Sequence, residues 1–161
     1  MTDFALRPAT ADDAPFLRDL FVRTRAQRLA GAGLPPAELE TVLEHQARLE
    51  PRSRALTNPA AEGYVVLSGG VPAGRVLVDR SGHEDRLLDL AIAPEFQHRG
   101  LGGAVLRHLA AGVAAGRGLG LAVDRANTGA LRLYERTGFV RCGETETDLF
   151  LRLDTGARGT P

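Results

Sequence analysis

The chain has 161 residues, of which 43% are hydrophobic and 25% are charged, and its 20 basic residues are balanced by 20 acidic ones. This length favours one domain, and a formal net charge of zero argues against a general nucleic-acid binder, which needs a basic excess. No apolar run approaches the roughly 18 residues of a membrane helix. The single cysteine, Cys142, excludes an internal disulfide and a thiolate zinc cluster, and we expect it to be a buried structural thiol. Polar residues follow Met1 where a signal sequence would be apolar, so we expect a cytoplasmic protein.

The first third of the chain predicts a short strand followed by two helices. Residues 4–6 form the strand, and Thr10 can cap a first helix that ends near Gly31 or Gly33. The second helix begins at Pro35 and Pro36 and should end before Pro51, because proline breaks a helix interior. Residues 51–62 contain few apolar side chains, and we expect them to form a mobile loop.

The middle of the chain predicts a meander of strands. Residues 64–67 and 74–79 are separated by a tight-turn sequence that ends in two glycines. Residues 86–93 are nearly all apolar, as expected for a central strand covered on both faces. Asp89 stands out in that strand, because a carboxylate in apolar surroundings is costly unless it is used or paired.

The second half predicts a strand, helix, strand unit followed by a helix and a hairpin. A helix from Leu101 to about Ala115 leads to a strand at residues 121–123, which should lie parallel to the strand at 86–93. Asn127 can cap the next helix and Gly138 can end it. Residues 139–140 and 147–153 would form the last strand pair. We therefore expect one domain over residues 4–154 and a disordered tail over 155–161.

A glycine-spaced loop joins the apolar strand to the helix at Leu101. Glycines leave consecutive backbone N–H groups accessible to an anion, and the helix dipole adds about half a positive charge there. The chain contains no lysine, which excludes a P-loop, and the spacing does not fit the dinucleotide fingerprint. The loop is therefore predicted to bind a phosphate group of a ligand that neither a P-loop nor a dinucleotide-binding motif would hold.

Two motifs resemble those of the GNAT family, the GCN5-related N-acetyltransferases. The loop reads Q-x-x-G-x-G from Gln97 to Gly102, like the acyl-CoA loop of the family, and residues 127–139 match its N-x-x-A-x-x-L-Y-x-x-x-G-F pattern. The motifs have the order and separation usual in the family. The resemblance implies the α/β (α+β) GNAT fold: a central mixed, mostly antiparallel sheet of six or seven strands with a splayed parallel pair and about four helices.

The resemblance also implies acetyl-CoA as co-substrate, with no metal. The pantetheine would lie between the splayed strands, and the loop would receive the pyrophosphate. Tyr134 matches the family tyrosine that acts as general acid, and Asn127 matches a residue that helps to hold the pantetheine or an ordered water. The expected CoA-binding residues are Leu90, Ala91, Ile92, Gln97, His98, Arg99, Gly100, Leu101, Gly102, Gly103, Asn127 and Tyr134.

The general base does not follow from the resemblance. Some members carry a glutamate where this chain has Ala122, and histone-acetylating members carry one at the position of Arg86. The nearest carboxylates on the central strand are Asp89, Glu84 and Asp85. Asp89 is our first choice, because a carboxylate in an apolar strand is costly unless it is used or paired. Our hypothesis is that Asp89 accepts the amine proton, directly or through water.

The predicted function is acetyl transfer from acetyl-CoA to a primary amine by direct attack in a ternary complex. A non-catalytic acyl-CoA-binding module is an alternative, which the presence of Asn127 and Tyr134 disfavours. A toxin-like acetyltransferase of aminoacyl-tRNA is another, which the zero net charge disfavours. Polyamines, amino acids, peptide N-termini and antibiotics all stay open as acceptors, and a dimer is common among the proteins that the chain resembles. The tRNA alternative rests on a group of N-terminal arginines: Arg23, Arg25, Arg28, Arg48, Arg52 and Arg54.

Overall fold

A seven-stranded sheet with the order β1-β2-β3-β4-β5-β7-β6 forms the centre of the protein in the computed structural model, which describes residues 2–155. All neighbouring strands are antiparallel except the parallel pair β4 and β5. The predicted sheet, its parallel pair and its four α-helices are confirmed. The strands are β1 (Ala5–Pro8), β2 (Ala61–Ser68), β3 (Val71–Asp79), β4 (Asp85–Ile92), β5 (Gly118–Asp124), β6 (Val140–Glu144) and β7 (Asp148–Asp154).

The helices lie on the two faces of this sheet: α1 (Ala14–Arg28), α2 (Pro36–Thr57), α3 (Leu101–Ala111) and α4 (Thr128–Arg136). Successive side chains of a strand point to opposite faces of the sheet, so neighbouring residues belong to different layers of the protein. Val66, Val76 and Val78 belong to the core with α3 and α4. Leu77 points the other way, into the cavity beneath α1 and α2. No helix among residues 2–155 has the length and apolarity to cross a bilayer.

The second helix differs most from its prediction. α2 continues through Pro51 to Thr57, so the predicted mobile loop at residues 51–62 is wrong. Proline removes one N–H donor and costs ~3 kcal/mol inside a helix. Around and beyond Pro51 the helix is still held by local bonds: Arg54 donates to Glu50 at 2.8 Å, and the N–H of Asn58 donates to the carbonyl of Arg54 at 2.8 Å.

Three smaller predictions are also wrong. α1 ends at Arg28, with a turn up to Gly33, and α3 ends at Ala111, before Gly112. Cys142 is exposed on β6, like every other residue of this edge strand.

Most of the expected tail, residues 156–161, lies outside the described residues. Thr155 is described, and its hydroxyl donates to the carbonyl of Arg117.

Candidate functional site

A slot opens where β4 and β5 diverge. Their pairing extends only from Asp85–Leu119 to Leu87–Leu121, whereas β4 stays paired with β3 as far as Ile92. The N–H of Ala93 donates to β3, and a Cβ on Gly74 of β3 would collide with the carbonyl oxygen of Ala91. Because backbone direction alternates along a strand, the backbone groups of Ala91 face β3, while those of Leu90 and the N–H of Ile92 face the slot. The carbonyl of Ile92 accepts from Gln97.

A β-bulge lies where the slot begins. Leu77 pairs with Asp89 and Val78 pairs with Leu87, so Leu88 has no partner on β3. A bulge places two consecutive residues against one residue of the neighbouring strand and bends its own strand. Leu88 and Asp89 consequently both line the cavity beneath α1 and α2, at the point where β4 leaves β5.

The loop before α3 presents a row of unpaired amides. The backbone N–H groups of residues 98–103 have no hydrogen-bond partner among the residues that the structure describes. His98 and Gly100 have φ angles of 60° and 78°, and such left-handed residues turn successive N–H groups toward one point. Gly102 allows α3 to approach α4, because a Cβ there would lie 3.0 Å from Leu133. This geometry can bind an anion.

Side chains of α1 brace the same loop. Gln97 donates to the carbonyl of Ile92 at 2.9 Å and exchanges two hydrogen bonds, each 2.9 Å, with the amide of Gln27. Arg23 pairs with Glu95, which lowers the pKa of that carboxyl. The Gln97 side chain is therefore committed to holding the loop, whereas the side chains of His98 and Arg99 are exposed.

Tyr134 lies on α4 and is 8% exposed. Its ring packs against Phe139, and within residues 2–155 its hydroxyl has no hydrogen-bond partner but keeps contact with open space. Burial raises the pKa of the hydroxyl, the charge of Asp89 raises it further, and the charge of Arg28 opposes both. Asn127 caps α4, as predicted, by accepting the N–H of Ala130 at 3.3 Å.

A cavity of about 440 Å³ lies between α1, α2 and the strands β3 and β4. Asp89 is paired there, since Arg75 donates to its carboxylate at 2.6 and 3.1 Å. The side chain of Asp89 is still 35% exposed, whereas that of Arg75 is 7% exposed. Burial lowers the pKa of Arg75, but Asp89 and Glu50 outweigh it, so the net shift is upward. The cavity lining is Phe21, Arg25, Gln46, Leu49, Glu50, Ser53, Arg54, Thr57, Asn58, Arg75, Leu77, Leu88 and Asp89.

Arg25, Glu50 and Arg75 were not predicted as site residues. Arg75 carried a usable signal, because it is a charged residue in an apolar strand, as Asp89 is. The other two lie on helices, where a charged residue usually faces solvent, so no local pattern distinguishes them. The predicted arginine group is also partly neutralised, since Arg23 and Arg54 form ion pairs with acidic side chains.

Comparison with known proteins places these features in a family. Residues 16–139 match the model of the acetyltransferase (GNAT) family. No curated protein matches the chain.

Several solved structures share the fold. PaiA N-acetyltransferase from Thermoplasma acidophilum, in complex with coenzyme A, has a TM-score of 0.72 at 17% identity, covering 94% of this chain and 99% of that one. An acetyltransferase from Thermus thermophilus has a TM-score of 0.69 at 24% identity, covering 95% and 99%. Spermidine N-acetyltransferase from Vibrio cholerae, in complex with CoA and spermine, has a TM-score of 0.64 at 19% identity, covering 93% and 94%.

Proposed function

Because the chain belongs to the acetyltransferase (GNAT) family, we propose that it transfers the acetyl group of acetyl-CoA to a primary amine by direct attack in a ternary complex. One observation carries this proposal: the open edge of β4 runs straight into a loop whose six backbone N–H groups, at residues 98–103, lack partners within the described chain. An extended amide-containing chain that ends in a pyrophosphate complements both parts.

Backbone groups account for most of the proposed acetyl-CoA binding. Leu90 and Ile92 would bond the pantetheine amides as a neighbouring strand would, with Ala91 holding the strand to β3. The amides from His98 to Gly103 would bind the pyrophosphate, and the side chains of His98 and Arg99 would add charge near it. Asn127 would border the pantetheine at the start of α4. The coenzyme A bound to the Thermoplasma acidophilum acetyltransferase supports acetyl-CoA as the ligand.

The transfer requires an uncharged amine. An aliphatic amine with a pKa near 10 costs about 4 kcal/mol to deprotonate at pH 7. Asp89 would accept a proton from the amine through a water, and Arg75 would hold its carboxylate in place. The amine nitrogen then attacks the thioester carbonyl carbon, and the carbon–sulfur bond breaks. Tyr134 donates its hydroxyl proton to the departing sulfur, and the second proton lost by the attacking nitrogen returns to the Tyr134 oxygen through solvent. Asp89 releases its proton to solvent, so the products are an amide and free CoA thiol.

A thermal melt with acetyl-CoA tests the binding. Acetyl-CoA at 100 times its Kd should raise the stability by about 2.7 kcal/mol, or the Tm by about 5 to 11 °C for a chain of this size. Gly100→Val should reduce this shift, because it adds a side chain to the anion-binding loop. The matched control is Gly116→Val, which introduces similar strain at a φ of 81° in a turn away from the slot. No shift at millimolar acetyl-CoA would contradict the proposal.

Release of free thiol separates an enzyme from an acyl-CoA-binding module. With an accepted amine, CoA thiol should appear at the rate at which the amine is acetylated. A melting shift without thiol release across a broad amine panel would favour the non-catalytic alternative.

A further inference from the structure

We propose that the acceptor is a small amine that also carries a carboxylate, such as an α-amino acid, and that Arg25 binds this carboxylate in the cavity between α1, α2 and the sheet. The inference rests on the proposed acetyl transfer and names the substrate class for it.

The first argument is the charge balance of the cavity. Three arginines and two carboxylates line it. Both carboxylates are already paired, because Asp89 accepts from Arg75 at 2.6 Å and Glu50 accepts from Arg54 at 2.8 Å. Arg25 forms no ion pair with any residue in the range 2–155 and leaves the cavity with one unbalanced positive charge. A ligand with one anionic group would complete the balance.

The second argument is the orientation of Arg25. Its guanidinium carbon lies 3.6 Å from the centroid of the Phe21 ring. A ring at this distance covers one face of the guanidinium, while the N–H donors at its edge stay available in the plane. A carboxylate accepts two parallel hydrogen bonds from such an edge. Burial lowers the pKa of Arg25, and the charges of Asp89 and Glu50 raise it without reversing the shift.

The third argument is that Asp89 lines the same cavity as Arg25. Leu88 and Asp89 line it at the β-bulge, beside the slot proposed for acetyl-CoA. An acceptor held by its carboxylate at Arg25 would place its amine in the cavity that Asp89 lines. A polyamine lacks this complementarity, because it would bring several positive charges into a cavity whose carboxylates are both paired. The volume of about 440 Å³ is that of a small-molecule site.

Paired substrates provide the test. CoA thiol release is measured with common L-amino acids, the carboxamide of each, and spermidine. The carboxamide removes the negative charge and makes the amine less basic, so intrinsic reactivity at neutral pH favours the carboxamide. We expect the best amino acid to exceed its own carboxamide at least tenfold in kcat/KM, and spermidine to be a poor acceptor.

Variants of Arg25 then test whether this side chain causes the preference for the amino acid over its carboxamide. Arg25→Gln should lower kcat/KM for the amino acid by about 10- to 100-fold, mainly through KM, since a charged hydrogen-bond pair is lost. The same variant should change kcat/KM for the carboxamide by no more than about threefold. Arg25→Lys should retain part of the kcat/KM for the amino acid that Arg25→Gln loses. Arg18→Gln is the matched control, because Arg18 is an exposed arginine of α1 outside the cavity.

Three results would overturn the inference. The first is a kcat/KM for the carboxamide or for spermidine that equals or exceeds that for the amino acid. The second is an equal loss of kcat/KM for the amino acid and its carboxamide in Arg25→Gln. The third is no turnover of any L-amino acid by protein that binds acetyl-CoA. Absence of acetyl-CoA binding would instead overturn the proposed function, and the melting experiment detects that case separately.

Discussion

Tyr134 is buried in a way that keeps its hydroxyl protonated. Because burial and the charge of Asp89 both raise its pKa above the ordinary tyrosine value, we expect no loss of kcat from tyrosine ionisation up to pH 10. Tyr134→Phe should lower kcat by about 10²- to 10⁴-fold, the usual contribution of a general acid. Its acetyl-CoA melting shift should stay close to that of the wild type. Undiminished kcat in this variant would exclude Tyr134 as the proton donor.

Asp89 and Glu50 both contact Arg75, so variants of these two carboxylates can separate a structural role of Asp89 from a role in proton transfer. Asp89→Asn should lower kcat/KM by about 100-fold at pH 7 and flatten the rise of activity with pH, because an amide cannot accept the amine proton. Glu50→Gln removes the other carboxylate beside Arg75, at 3.5 Å, and should leave the pH profile unchanged. Matching pH profiles in wild type and Asp89→Asn would mean that Asp89 only positions Arg75.

At the scale of elements, α1 links the loop before α3 to the cavity between α1, α2 and the sheet. The paired amides of Gln27 and Gln97 should order the loop before acetyl-CoA arrives, so Gln97→Ala is expected to raise its Kd several-fold. Adding Gln27→Ala should then have little further effect, because the contact is already lost. Titration of the wild type and the three variants gives this double-mutant cycle. Fully additive losses would show that the two amides act independently.

The order of the elements could be predicted from the sequence, and several of their limits could not. Glycine spacing and apolar periodicity are local signals, and they indicated the loop before α3, whereas the resemblance of residues 127–139 to the family motif indicated Asn127 and Tyr134. The continuation of α2 past Pro51 runs against the local signal of the proline, and the contact of Glu50 with Arg75 of β3 joins residues that are distant in the chain. The pairing of Arg75 with Asp89 depends on a bulge in the register of β3 and β4. The cavity between α1, α2 and the sheet is therefore a tertiary feature, whereas the loop is largely a local one.

At the scale of the whole molecule, one ion pair links stability to pH. Arg7 donates to both carboxylate oxygens of Asp13, at 2.7 and 2.8 Å, and the N–H of Thr10 donates at 2.8 Å. These bonds hold the pKa of Asp13 well below its usual range. A lowered pKa in the folded state contributes stability above the unfolded pKa of about 4, and this stability disappears as the pH falls through the folded pKa.

Asp13→Asn should accordingly lower the Tm at pH 7. The difference from wild type should shrink as the pH is reduced from 5 toward 2, because the carboxylate of the unfolded chain takes up its proton in this range before the paired carboxylate of the folded chain does. Melting curves across this range measure the effect. A difference that stays constant with pH would mean that the loss comes from packing and not from the charge of Asp13.

Cys142 makes the protein convenient for fluorescence work. It is the only thiol in the sequence and it is exposed on β6, so a maleimide dye would attach at one defined position. Strands β7 and β5 lie between β6 and the slot, which keeps the dye away from the bound molecules. Energy transfer from this dye to a CoA analogue that carries an acceptor fluorophore would report occupancy of the slot in real time, without any turnover.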